Sequence, residues 1–136
     1  MSPRDAPLWV RCHDLTRWLF EHIAEWPPAA AELIGRPLFA EVLDAWCAVG
    51  LAGAFPARRP ACLGEADAAL NRARTIAALT EPGPLSASAA LHLGAELDAI
   101  GRMLGGWQRA VRRRRRMVSD GTPSEGMAPD GMASAP

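Results

Sequence analysis

Apolar side chains recur at steps of three and four residues in four segments of this chain, and prolines or glycines separate the segments. Such spacing places the apolar side chains on one face of a helix. β-Branched residues are few, and no segment alternates apolar with polar residues as a half-buried strand does. The sequence therefore predicts an all-α fold, an antiparallel up-down four-helix bundle. The predicted helices cover about residues 8–26, 37–54, 62–80 and 86–116.

Prolines and capping residues set the predicted helix ends. Pro27 and Pro28 stop the first helix, Pro37 suits the first turn of the second, and EPGP at 81–84 ends the third. Ser86 is placed to cap the fourth helix. The side chains expected to face the core in the first three helices are Leu15, Trp18, Leu19, Ile23 and Trp26; Leu38, Val42, Val49 and either Ala45 or Trp46; and Leu63, Ala66, Leu70, Ala73, Leu79 and either Ile76 or Ala77.

The fourth segment combines an apolar seam with three glycines. Each glycine costs about 1 kcal/mol relative to alanine inside a helix. Gly101 and Gly105 share a face, where the missing Cβ lets a neighbouring backbone approach. Gly106 points elsewhere, which leaves open either ordinary packing or a second contacting surface. The seam consists of Leu93, Leu97, Ile100, Leu104, Trp107 and Val111, as in a coiled coil.

Composition divides the chain into three parts. Residues 1–7 form an N-terminal lead, and residues 8–116 form the bundle domain with an Arg-rich extension of its fourth helix. Residues 117–136 combine Gly, Pro, Ser and acids without an apolar face, so we expect a disordered tail. There is no leader-like N-terminus, and no apolar run reaches about 18 residues free of charge, so the expected location is cytoplasmic and no membrane span is predicted.

Charge is distributed unevenly, although the formal net charge is zero. Residues 1–100 contain eight Arg and twelve acids, residues 101–118 contain seven Arg and no acid, and residues 119–136 contain three acids and no base. Positive charge is therefore concentrated in one short segment, as in proteins that bind polyanions.

Five consecutive arginines are the strongest functional signal. At about 100° per residue they extend more than once around a helix, so they cannot form a packed face. Contact with five phosphates would give a salt slope of about −4.5 on duplex DNA or about −3.5 on a single strand. The alternative is a solvated helix end that complements the helix dipole. The candidate nucleic-acid-binding residues are Arg112, Arg113, Arg114, Arg115 and Arg116, then Arg102 and Arg109 on one face, and more weakly Arg72 and Arg74.

Residues for catalysis or metal binding are lacking in the sequence. Cys12, Cys47 and Cys62 have no CxxC spacing, and an odd number of cysteines fits a reducing compartment. The three histidines form no Glu-x-x-His or HExxH motif, which disfavours metal sites of helical bundles and metalloproteases. We expect no cofactor, no metal and no enzymatic activity. Four of the five Trp residues fall on apolar stripes, which favours packing over base stacking.

Two stretches resemble a known family. LDAIGRMLGGW at 97–107 and DLTRWLFEHIAEWP at 14–27 are similar to segments of the accessory variability determinant (Avd) proteins of diversity-generating retroelements, and of the wider four-helix family around the intervening-sequence proteins of ribosomal RNA genes. The resemblance covers about residues 8–111. Weaker matches are Gly35, Leu38, Leu43 and Asp44 in the second helix, and Leu85, Ser86, His92, Glu96, Leu97 and Asp98 at the start of the fourth.

The resemblance implies a specific function. Avd proteins are not enzymes: they are bundles that assemble into homopentameric barrels, bind RNA or DNA, and associate with a reverse transcriptase during mutagenic retrohoming. It also implies that Gly101, Gly105, Gly106 and Trp107 serve helix or subunit packing. Family members carry basic residues where this chain has PPAAAELIG and TIAALTEPG, which puts nucleic-acid contacts there in doubt. The alternative is an interaction bundle of the same family without a retroelement role.

Overall fold

The computed structural model describes residues 6–121, which contain four helices and no strand. The helices are α1 (Pro7–Ile23), α2 (Pro28–Ala54), α3 (Arg59–Ala77) and α4 (Ala87–Gly121). A single 3-10 turn, Pro56–Arg58, joins α2 to α3. The prediction of an all-α chain with four helices is confirmed.

The chain divides into two compact units, Met1–Gly105 and Gly106–Pro136. The first unit holds α1, α2, α3 and the beginning of α4, and the described part of the second unit is the remainder of α4, residues 106–121. Most of the predicted lead and tail, residues 1–5 and 122–136, lies outside the described residues. Residues 117–121, which the sequence analysis assigned to the tail, belong to α4.

The second helix begins nine residues before the predicted start at Pro37. Pro28 occupies its first turn, where a missing N–H is harmless. A π-helical turn, Ala31–Gly35, comes directly before Arg36 and Pro37, and the Arg36 N–H donates to the Ala31 carbonyl. The wider turn lets the helix continue through Pro37, because a proline would otherwise crowd the carbonyl four residues back. Periodicity alone did not reveal this turn.

The other helix ends follow local hydrogen bonding. α1 stops at Ile23, and the N–H groups of Glu25 and Trp26 donate to carbonyls three residues back, since the residue before a proline avoids the helical conformation. α3 starts at Arg59 rather than Cys62 and ends at Ala77. Ser86 caps α4 as predicted, with the Ala89 N–H 3.2 Å from its Oγ.

The core of the first unit is formed by the apolar stripes of all four helices. The predicted core position of Leu79 is wrong: this side chain is 61% exposed because α3 ends before it. Trp18 and Ile23 are only half-buried, whereas Leu8 and Cys12, which the stripe omitted, are buried. The largest fully buried apolar side chains are Leu15, Leu19, Leu38, Leu63, Leu93, Leu97 and Leu104, and the sequence predicts an inward position for each of them.

Side-chain contacts join each helix to the next and α4 to α1. Trp9 of α1 packs on Trp46 of α2 with ring centroids 5.2 Å apart. Arg11 of α1 pairs with Glu96 of α4 at 3.0 Å. The remaining contacts are Phe20 with Phe39, Arg72 with Glu41, the Arg59 Nε with the Ala52 carbonyl, Arg74 with the Leu97 carbonyl, and Trp18 with His92.

Among residues 6–121, α2 is long and apolar enough to cross a membrane by length and composition alone, so the absence of a membrane span stays a prediction. The core helix of a soluble bundle meets the same criterion. Leu38, Val42 and Val49 of α2 belong to the core, and Glu41 of the same helix pairs with Arg72.

Candidate nucleic-acid interface

The arginine run, Arg112–Arg116, lies within α4 and is exposed along its whole length. Arg, Gln and Ala are good helix formers, and neither Pro nor Gly occurs between Trp107 and Asp120. The sequence therefore keeps this stretch helical until Gly121, two residues before Pro123. All nine residues from Arg112 to Asp120 are exposed.

Within residues 6–121, no acidic side chain forms an ion pair with any arginine of the run. Asp98 and Asp120 are the nearest acids on either side in the sequence. The run is therefore a concentration of positive charge that the described part of the protein does not neutralise.

The position of the run within α4 bears on the alternative of a solvated helix end. The favourable effect of a cation on the helix dipole is limited to the last turn. The run stops five residues before Gly121, and the last turn of α4 contains no basic residue. The dipole therefore gives little reason for five arginines here.

Arg102 and Arg109 are both exposed, but in different units. In the second unit, the Arg109 guanidinium lies over Gly106, where an added Cβ would be 3.9 Å from its Nη2. Arg109 precedes the run by three residues and belongs to the same unit.

Arg72 and Arg74 hold helices together in the first unit. Arg72 of α3 pairs with Glu41 of α2, and the hydrogen bond to Glu41 is the main reason that the pKa of Arg72 is raised. Arg74 donates to the Leu97 carbonyl at 3.3 Å and lies 3.7 Å from Asp98. Both side chains remain exposed, but they have protein partners that the run lacks.

The contacts around Gly101 explain why α4 has a glycine at this position. A Cβ there would overlap the Arg74 guanidinium and lie 3.4 Å from Leu70 Cδ2. The glycine lets α3 side chains cross α4 in close contact. Around Gly106, by contrast, an added Cβ would meet only Arg109 among the described residues. Gly105 and Trp107 are half-buried.

Reactive chemistry is sparse in the described part of the chain. Among residues 6–121, no group of three His, Cys, Asp or Glu side chains could hold a metal ion. Burial raises the pKa of the Cys12 thiol to about 12, so this thiol stays protonated.

Two grooves were not anticipated from the sequence. A groove of about 590 Å³ between α1 and α4 is lined by Arg11, Asp14, Trp18, His92 and Glu96 among others. A smaller, more apolar groove of about 340 Å³ lies between α1 and α2 and includes Phe20 and Phe39. The sequence signal for the second groove was Phe20, a large aromatic side chain outside the predicted apolar stripe of α1. In the structure this side chain is 65% exposed.

Comparison with known proteins finds no matching family model, no matching curated protein and no matching solved structure.

Proposed function

We propose that this protein is a non-enzymatic helical bundle that binds nucleic acid through Arg112–Arg116. The observation that carries the proposal is the exposure of all five side chains on a helix that supplies them with no acidic partner within residues 6–121. Arginine binds phosphate through a rigid fork of donors and cannot lose its charge at physiological pH. A polyanion is therefore the partner that this segment fits best.

The test replaces the whole run by glutamine and measures binding of labelled RNA and DNA by fluorescence anisotropy. We expect unchanged helicity by circular dichroism and much weaker binding of both nucleic acids. A matched variant with lysine at all five positions keeps the charge and should keep most of the affinity. Equal binding by the wild-type and glutamine proteins throughout a salt titration would contradict the proposal.

We propose the antiparallel up-down arrangement for the bundle. Trp9 meets Trp46 and Phe20 meets Phe39, so the residue numbers rise along α1 as they fall along α2. The same opposite numbering holds for the contacts of three other helix pairs, α2 with α3, α3 with α4, and α4 with α1. These contacts support the arrangement.

We further propose, from the family resemblance, that five copies assemble into a barrel. Repeated arginine runs would then bind one nucleic acid together, and the high effective concentration would strengthen weak individual contacts. Light scattering should give a mass near five times the 14.5 kDa of one chain. Replacement of Gly105 by leucine should disturb this assembly; an unchanged mass would count against a close contact at Gly105.

The proposed biological role is that of a cytoplasmic accessory protein of a diversity-generating retroelement. It would bind the template RNA or its cDNA and the reverse transcriptase during mutagenic retrohoming. The support is the resemblance of residues 14–27 and 97–107 to Avd proteins. Co-purification of a neighbouring reverse transcriptase and its RNA with this chain tests the role, and a genome without such a gene and paired repeats nearby would contradict it.

A second candidate is an interaction bundle of the same family without a retroelement role. The apolar groove between α1 and α2 favours it, because Phe20 lines that groove and remains 65% exposed. For this candidate, replacing Phe20 by serine would abolish partner capture, whereas glutamine at the arginine run would not.

A further inference from the structure

We infer that the arginine run binds duplex DNA in its major groove, with α4 inserted between the two phosphate strands. This inference rests on the proposed function and specifies which nucleic acid the run recognises. It follows from how the arginines are arranged around the helix and from the exposure of all five side chains of the run.

Successive side chains on an α-helix are rotated by about 100°, so the arginines divide into three sets. Arg112 and Arg115, three residues apart, lie along one flank of the helix. Arg113 and Arg114 lie along the opposite flank. Positive charge is therefore present on both sides of the same helical turn.

Two further arginines lie on the face between these flanks. Arg109 and Arg116 are seven residues apart and so share one side of the helix, two turns from each other. The side opposite to them carries Val111 and Val118. Asp120 follows Arg116 by one turn on the same side and ends the cationic surface.

This pattern matches the major groove of B-form DNA. The groove is about 12 Å wide and admits an α-helix, whose diameter with side chains is about 10–12 Å. A helix in the groove has one phosphate strand on each side, where Arg112 with Arg115 and Arg113 with Arg114 bind phosphates. Arg109 and Arg116 then face the bases, and arginine recognises O6 and N7 of guanine.

Other nucleic acids fit the same arrangement less well. A single strand contacts one flank and leaves the opposite pair unused. The major groove of double-stranded RNA is deep and too narrow for side chains to read. A helix with cations on one face only would serve those ligands equally well, so the arginines on both flanks favour duplex DNA.

The experiment compares two flank variants with a control of equal charge. R112Q/R115Q and R113Q/R114Q each remove two cations from one flank. R17Q/R36Q removes two exposed cations from α1 and α2, where each pairs with a glutamate four residues away. All three full-length variants and the wild type are titrated with a 20-base-pair DNA, the same sequence as double-stranded RNA, and one DNA strand.

The expected result is tightest binding of duplex DNA by the wild type, at least tenfold tighter than binding of either other nucleic acid. Loss of two phosphate contacts lowers the salt slope by about 1.8 and weakens binding at 0.1 M salt by about sixtyfold. Both flank variants should show this loss, and the control should bind as the wild type does. On duplex DNA, guanine N7 in the major groove should be protected from dimethyl sulfate, and adenine N3 in the minor groove should not.

The outcomes separate the inference from the function on which it depends. Equal or tighter binding of RNA or of the single strand, loss in only one flank variant, or protection of adenine N3 alone overturns the major-groove inference while nucleic-acid binding stands. No binding of any of the three nucleic acids by the wild type overturns both. Circular dichroism of each variant establishes that the helices are intact.

Discussion

Substitution of Gly101 by alanine tests the packing of α3 on α4. Alanine at an unobstructed helical position stabilises a helix by about 1 kcal/mol relative to glycine. At Gly101 the added Cβ would overlap the Arg74 guanidinium, so this side chain must move away from the Leu97 carbonyl, 3.3 Å from its Nη2. A hydrogen bond from a charged group contributes about 1.5–3 kcal/mol to stability. Because Arg74 is exposed and screened by solvent, we expect its bond to the Leu97 carbonyl to contribute about 1.5 kcal/mol or less.

The propensity gain and the lost contact therefore nearly cancel. We expect G101A to change the free energy of unfolding by about −0.5 to +0.5 kcal/mol. Gly64 and Gly94 provide matched controls, because an added Cβ at either meets nothing within 4 Å. Each control should stabilise the protein by about 1 kcal/mol, which corresponds to about 4 °C in Tm.

Urea unfolding followed by circular dichroism measures these differences. In a background with Arg74 already replaced by alanine, the obstruction is gone, so G101A should stabilise as much as G94A does. The reasoning would be refuted if G101A stabilised the wild-type protein by as much as G94A. It would equally be refuted if G101A failed to stabilise the protein once Arg74 was absent.

Two further predictions concern local features. S86A removes the acceptor for the Ala89 N–H and should lower the free energy of unfolding by about 1 kcal/mol, whereas S88A leaves that cap intact and should change stability much less; equal effects would contradict the cap. In the native protein at pH 8, iodoacetamide should label the exposed Cys47 but neither buried cysteine, since burial raises the pKa of Cys12 to about 12 and keeps its thiol protonated. Mass spectrometry should find one label before unfolding and three after, and rapid native labelling of Cys12 would show that the site is open.

Apolar periodicity was sufficient to locate the four helices and most of the core. The stripe of α4 is buried from Leu93 to Leu104, as the spacing predicts. The ends of the helices were harder to predict from the sequence, because a local change in backbone conformation can accommodate a helix-breaking residue. The π-helical turn at Ala31–Gly35 carries α2 through Pro37, and the end of α3 at Ala77 leaves Leu79 exposed.

Some features of the candidate site could be predicted from the sequence, and others depend on how the helices pack. Five consecutive arginines cannot all pack, so their exposure follows from the sequence alone. Arg72 and Arg74 looked equivalent to other surface arginines, because their partners Glu41 and Asp98 are distant in the sequence and are brought close only by helix packing. The groove that includes Phe20 likewise depends on the neighbouring helix.

The most direct test of the central claim is the salt dependence of DNA binding by the wild-type chain and by the variant with glutamine at residues 112–116. The account predicts a slope of log affinity against log salt of about −3.6 to −4.5 for the wild type on duplex DNA, which corresponds to four or five phosphate contacts by the run. It predicts a slope close to zero for the variant. Equal slopes for the two proteins would contradict the claim that these arginines bind nucleic acid.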